Sequence, residues 1–415
     1  MRTHQIILLI LLSALIYCSS AVASTSNALS ETVTEQYMEL VKVRYQDSKQ
    51  AALKLQEAVS IFLEKPSEAT HDNAKLAWKV AHDAYSLTEV FRFGNPNVDS
   101  WEGDVNAWPI DEGLIDYVNL ETYEYDSSNK YALENIIAGT DVIDITFLEA
   151  IREGKDYKDA PMHFMGAADI ESNVVTGYHA IEFLLWGQDL NQSPNSAGTR
   201  SHTDYLQGDN CTNGNCQRRG QYLNALVRIL VRDLDIILND WSSESAKHYA
   251  VSFRSLPVKE RLNRIITGMG ELSYGELAGE RIRTALLAGH QEEEQSCFSD
   301  LTHYAIYQNA LSIQTLYLGT HTRIDGTTYQ SMSVSELVRK MDPSLDEKFK
   351  QQLTASVKAA SEVVKYANAG EKFDQMILPD NEKGRNLLSD LIGTLRTQTE
   401  TIELIQANID SLASL

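Results

Sequence analysis

The sequence predicts an all-α fold of two helical-bundle domains packed together and related by internal duplication. Three observations predict it. Apolar residues recur at helical spacing along most of the chain, alternating strand patterns are scarce, and polar, turn-rich segments separate the helices. With 415 residues, 43% hydrophobic and 23% charged, the composition is that of a globular protein with room for two cores.

Residues 1–23 read as a secretory signal peptide: Arg2, an apolar run from Ile6 to Tyr17, and Ala21-Val22-Ala23 as a small-x-small cleavage site. A lipid anchor at Cys18 is disfavoured, because Ile16 and Tyr17 are bulky where a lipoprotein signal needs small residues. The chain is therefore expected to be exported, periplasmic or outer-membrane-associated. No later stretch reaches 18 unbroken apolar residues, so the mature chain is expected to lack a transmembrane segment.

The first predicted helix covers 30–64, with Val33, Tyr37, Leu40, Val41, Tyr45, Leu53, Leu55, Val59 and Phe62 at helical spacing and no Gly or Pro before Pro66. A second covers 68–93 and ends at Gly94-Asn95-Pro96. Further helices are expected over about 218–241, 258–289, 299–318, 345–369 and 382–412. Between them lie polar segments at 95–130, 188–217 and 319–332; the first is long for a loop and is expected to be ordered against the bundle. WSSESAKHYA, 241–250, marks the expected boundary between an N-terminal bundle, 24–240, and a C-terminal bundle, 241–415. The stretches LLWGQDL and LYLGTHT suggest the duplication. Aligning Gly187 with Gly319 places Leu311 opposite His179 and Gln314 opposite Glu182, so the second copy lacks the charged pair.

That pair carries the functional signal. In GYHAIEFLLWG, 177–187, His179 and Glu182 share one helix face within an otherwise apolar segment. A buried imidazole and carboxylate need partners, since leaving them bare costs several kcal/mol. Either they satisfy each other or an arginine as a core pair, or they hold a metal ion, as Glu-x-x-His pairs do in helical bundles. Two ligands do not make a site, so further candidates matter. Glu89 could complete a metal shell, while Arg92 could hold Glu182 ionised or simply pair with Glu89. The segment GHQEEEQSCFSDLTH adds His290, Glu292, Glu293, Glu294, Asp300 and His303, of which the three glutamates also suit a solvated face and Asp300 and His303 open an apolar helix. Such donors suit iron, manganese or zinc. Cys211 and Cys216, in DNCTNGNCQRR, can close a small disulfide loop in an exported chain, leaving Cys297 as the odd thiol.

Other chemistries are excluded by what is missing. The sequence has no H-E-x-x-H, no G-x-S-x-G and no phosphate loop. Its net charge is −22, and loss of Arg2 with the leader takes it to −23, which argues against nucleic acid as a partner. The acidity suits a solvated surface and is compatible with attraction of cations.

At Gly177-Tyr178-His179-Ala180-Ile181-Glu182 the chain resembles the imelysin family, the insulin-cleaving membrane protease group, whose motif is G-x-H-x-x-E. The resemblance extends through TEVFRFG (88–94), NAWPIDEGLIDY (106–117), HAIEFLLWGQDL (179–190), GTRSHTDY (198–205) and EEEQSCFSDLTH (292–303). The last two are most similar to the iron-regulated protein A branch. The resemblance covers nearly all of the mature chain. It implies an exported helical protein of two related bundles, linked to bacterial iron uptake, with His179 and Glu182 as its functional residues. It further implies a metal ion, iron before zinc, and other iron-uptake components of the cell envelope as partners. The family name implies a metallopeptidase, in which Glu182 would be catalytic. Zinc hydrolysis of the usual kind needs a second histidine that this motif lacks, and a non-catalytic binding role fits better.

Overall fold

The computed structural model describes residues 27–154, 167–190, 197–291 and 293–415. The expected leader 1–23, Cys18 and Glu292 lie outside the described residues. The fold is all-α, with one small two-stranded ribbon among the described residues.

Helix α1 (Ala28–Glu64) runs 37 residues, roughly 55 Å at 1.5 Å per residue. It buries Val33, Tyr37, Val41, Tyr45, Leu55, Val59 and Phe62 against α2 (Glu68–Ser86) and α6 (Cys216–Ser242). A capping box starts α2: Ser67 accepts from the Thr70 amide, and Thr70 accepts from the Ser67 amide. The predicted continuation of α2 to 93 does not form. Hydroxyls at its end take up backbone carbonyls, Ser86 that of His82 at 2.8 Å and Thr88 that of Tyr85 at 2.7 Å, and residues 89–91 tighten into a 3₁₀ turn.

The long polar segment 95–130 is ordered, and it contains a helix that the sequence reading did not predict. In α3 (Pro96–Asn106), Pro96 opens the first turn, where its missing N–H costs nothing. The rest of the segment is tied down by buried charge: Asp116 accepts from Arg200 Nη1 and from Arg219 Nε, both at 2.6 Å. The same arginines fasten the segment 188–217, which also carries the Cys211–Cys216 disulfide.

The remaining helices are α4 (Ile145–Arg152), α5 (Gly177–Trp186), α7 (Tyr249–Ser255) and α8 (Val258–Gly270). Helix α8 continues unbroken through a π-helical stretch, Glu271–Thr284, into a last turn at Ala285–Ala288. Then come α9 (Thr302–Leu318), α10 (Val334–Met341), α11 (Pro343–Asn368) and α12 (Glu382–Ala407). Helix α9 starts at 302 rather than 299, because Ser299 is engaged elsewhere and Asp300 takes a left-handed φ of 54°. After Gly319, β1 (Thr320–Thr322) pairs antiparallel with β2 (Thr328–Gln330), His321 opposite Tyr329.

Two apolar clusters form the core. The larger draws on both halves of the chain, from Tyr37 and Val41 through Trp241 and Phe253 to Ile265 and Ile402. Its aromatic contacts include Tyr37 with Trp241 and Trp241 with Tyr249, so the stretch around 241–250 is built into the core. The smaller cluster joins Leu277 and Ile282 of the π-helical stretch to Ile306, Val363, Leu388 and Leu391.

Candidate metal centre

Helix α5 is the most enclosed element of the site: all ten of its residues are buried, against α2, α3 and α6. Polar atoms of its surroundings hold its backbone. Trp78 Nε1 donates to Tyr178 O at 2.9 Å, Arg200 N donates to Trp186 O at 2.7 Å, and His71 Nε2 lies 2.7 Å from Leu185 O. Gly177 begins the helix at φ +90°, where a Cβ would sit 2.7 Å from Val105 O. A side chain is thus excluded on two counts, a left-handed backbone and the close approach of α3.

His179 is 1% exposed and Glu182 is fully buried. One turn apart, they meet at 2.8 Å between Nδ1 and Oε2. The other carboxylate oxygen accepts from both the amide and the hydroxyl of Ser299, at 3.0 and 2.6 Å. Glu182 is thereby committed on both oxygens, and His179 is held by one nitrogen. Its other nitrogen, Nε2, is buried and has no hydrogen-bond partner. Burial pushes the His179 imidazole down to about 3 and the Glu182 carboxyl up to about 8, so the bare pair carries little charge at neutral pH.

His179 lines a cleft of about 1200 Å³. Among the described residues its walls carry twelve carboxylates, including Glu102, Asp189, Glu276 and Glu294, and a single arginine, Arg92. The arrangement fits a cation. Burial keeps the bare Glu182 carboxyl protonated toward Nδ1, but a cation at Nε2 would offset that: the carboxylate would then accept from Nδ1–H, fix the ring and leave the Nε2 lone pair to the metal, the usual way a protein orients a histidine ligand.

A family model described as imelysin matches residues 42–402. The chain belongs to the imelysin family. Iron-regulated protein A from Synechococcus elongatus is 27% identical over 122 residues, 28% of this chain and about a third, 34%, of that protein's length. Among solved structures, the fold is similar to that of a protein described as an iron-regulated protein A precursor from Parabacteroides distasonis ATCC 8503. That similarity has a TM-score of 0.63 at 16% identity, covering 90% of this chain and 95% of that one. An imelysin-like protein from Psychrobacter arcticum 273-4 gives a TM-score of 0.55 at 11% identity, covering 91% and 94%.

In this imelysin chain the other predicted site residues separate. Glu89 is not free to complete a metal shell. Arg281 grips it through both oxygens at 2.5 and 2.9 Å, Asn309 donates at 2.5 Å and Asn106 at 3.2 Å. Burial alone would raise the Glu89 carboxyl, but Arg281 holds it below its ordinary value. Arg92 does not hold Glu182, whose contacts are His179 and Ser299. It pairs with Asp99 at 3.0 Å and Glu102 at 3.2 Å, and burial still raises Glu102 to about 7. Asp300 and His303 are buried but join neither His179 nor each other in a ligand set. Asp300 lies beside Glu294 and Asp374, and both ring nitrogens of His303 lack partners. His290 and Glu293 line the cleft.

Several neighbours were missed by the sequence reading. His82 of α2 packs edge-on to His179, ring centroids 5.4 Å apart, with its Nε2 3.1 Å from Asn106 Oδ1. Since the Asn106 amide nitrogen donates to Glu89, its oxygen accepts a hydrogen bond from His82 Nε2–H, and His82 is turned away from metal binding through that atom. Arg281 comes from the π-helical stretch, a geometry that often re-aims side chains at functional sites.

Proposed function

We propose that this imelysin chain is an exported, non-catalytic metal-binding protein of bacterial iron uptake, which takes an iron ion from the acidic cleft at His179 Nε2. The observation that carries this reading is one atom: a buried imidazole nitrogen without a partner, on the wall of a carboxylate-rich cleft, in a ring whose other nitrogen is fixed by Glu182. Glu182 acts here as orienter rather than direct ligand, because both its oxygens are engaged. Remaining coordination comes from water and the cleft's carboxylates. The donor set also suits zinc; iron is favoured by the name of the Synechococcus relative and by that of the Parabacteroides protein.

The alternative is a metallopeptidase. It requires a base to activate water, and Glu182, the residue that would serve, is already engaged on one oxygen by His179 Nδ1 and on the other by two donors of Ser299. The binding reading needs no such freedom.

Anaerobic calorimetric titration with ferrous ion, and separately with zinc, tests the proposal. Wild type binds one ion at this site, His179→Ala does not, and Glu182→Gln binds about 10- to 100-fold more weakly, as for the loss of an orienting partner. Equal binding by wild type and His179→Ala contradicts it, and chelator-sensitive peptide cleavage lost in Glu182→Ala returns the peptidase.

A further inference from the structure

Cys297 and Phe298 sit in a strap, 293–301, that crosses α5. Phe298 O accepts from Gly198 N at 2.8 Å and its ring packs 5.2 Å from Phe183, while Ser299 clamps Glu182. The same strap carries Glu294 and Asp300, which meet Asp374 from beyond α11. One carboxylate oxygen from each of the three lies within 4.8 Å of the others, and all three side chains are buried.

Three buried carboxylates repel one another and lose their hydration, and a single nearby lysine does not offset all three. All three are incompletely satisfied. Glu294 is 2% exposed and neither of its oxygens makes a well-formed hydrogen bond, with Thr302 and Asp300 as its polar neighbours; Asp300 Oδ1 and Asp374 Oδ1 likewise lack partners. Asp374 is held from its other oxygen, where Gln291 donates at 2.8 Å and Gln375 at 2.5 Å, so Oδ1 stays free on a fixed side chain. Lys372 is the nearby cation that acts on Asp300, one positive charge beside three carboxylates.

We propose that Glu294, Asp300 and Asp374 form a second cation site, which takes a hard divalent ion of calcium's size. All donors are carboxylate oxygens, which hard cations prefer to nitrogen or sulfur sites. Oxygens all within 4.8 Å of one another can share a single ion, and three carboxylates favour calcium, since magnesium keeps more of its water and accepts fewer carboxylates. Occupation ties the strap to Asp374 and so steadies Ser299 against Glu182. Glu294 lines the same cleft as His179, but the two sites differ in their donors, because His179 contributes nothing to the oxygen cluster.

Calorimetric titration of the full chain with calcium chloride, and separately magnesium chloride, decides the matter, alongside thermal unfolding. The wild type and His179→Ala are expected to bind one calcium ion and to melt higher in millimolar calcium. Asp374→Asn and Glu294→Gln are each expected to bind about tenfold more weakly or not at all. Circular dichroism checks that the variants fold. If Asp374→Asn does not, Glu294→Gln, which keeps the side chain's size and shape, gives the result. No calcium binding by wild type overturns the proposal, as does calcium binding undiminished in Glu294→Gln. Magnesium binding in place of calcium overturns the assignment by size. Loss of iron binding in His179→Ala with calcium binding intact separates this site from the one at His179.

Discussion

The chemistry of the site turns on how one carboxyl and one imidazole share a dry place. Glu182 has a folded pKa of about 8 against an ordinary 4.5, so the stability it contributes is present below 4.5 and is lost as pH rises to about 8. His179 runs the other way: its folded value of about 3 lies below 6.5, so its contribution is present above 6.5 and is lost as pH falls toward 3. In metal-free protein, Glu182→Gln removes only the first loss. Its melting temperature relative to wild type therefore rises between pH 5 and pH 8, measured by calorimetry at fixed ionic strength; parallel curves contradict the burial argument. Glu89 gives a second expectation. Glu89→Ala strips Arg281 of its bidentate partner and leaves the buried guanidinium with Glu276, at 3.0 Å, as its remaining carboxylate, so unfolding in urea should show a loss of about 3 kcal/mol, the low end for breaking a buried pair. His179 and Glu182 were legible in the sequence because an ionisable pair stands out in an apolar segment. Arg281, Asn309 and Ser299 were not, since what makes them matter is contact with residues more than a hundred positions away.

Among the elements, α5 shows how closely the backbone governs the site. The glycine that opens it at φ +90° lets α3 approach, and the glycine that follows it, Gly187 at φ +76°, turns the chain toward Arg200. Gly177→Ala is expected to destabilise the fold by about 1–3 kcal/mol and to weaken metal binding by displacing His179. An unchanged unfolding midpoint would show that the helix start tolerates a side chain. Helix periodicity found the long elements within a few residues, because each buries a continuous apolar stripe. It failed where polar side chains compete for the backbone: at Ser86 and Thr88, which end α2 early, and at Ser299 and Asp300, which delay α9. The segment 95–130 was correctly expected to be ordered, but α3 within it was hidden by its polar composition and the proline at its start.

Across the whole molecule, charge and enclosure act together. A net charge of −22 and a cleft with twelve carboxylates against one arginine draw cations inward and raise their local concentration near His179. Stopped-flow association with a divalent metal should accordingly slow as sodium chloride rises from low to physiological levels, with dissociation much less affected; a salt-independent association rate contradicts the steering role. The all-α architecture was legible because strand patterns were scarce and helical stripes abundant. The cleft was not, because its walls come from segments far apart in sequence, including Glu102, Asp189, Glu276 and Glu294. Among the described residues no helix is long and apolar enough to cross a membrane.

The central claim is that Glu182 holds Nδ1 of His179 while Nε2 binds the metal. Nitrogen-15 NMR of imidazole-labelled protein titrated with zinc, with His179 assigned by His179→Gln, tests it at those two atoms. The account predicts a large shift of the His179 Nε2 resonance at one equivalent, while Nδ1 remains protonated. A His179 ring that does not respond, or one that responds through Nδ1, contradicts it.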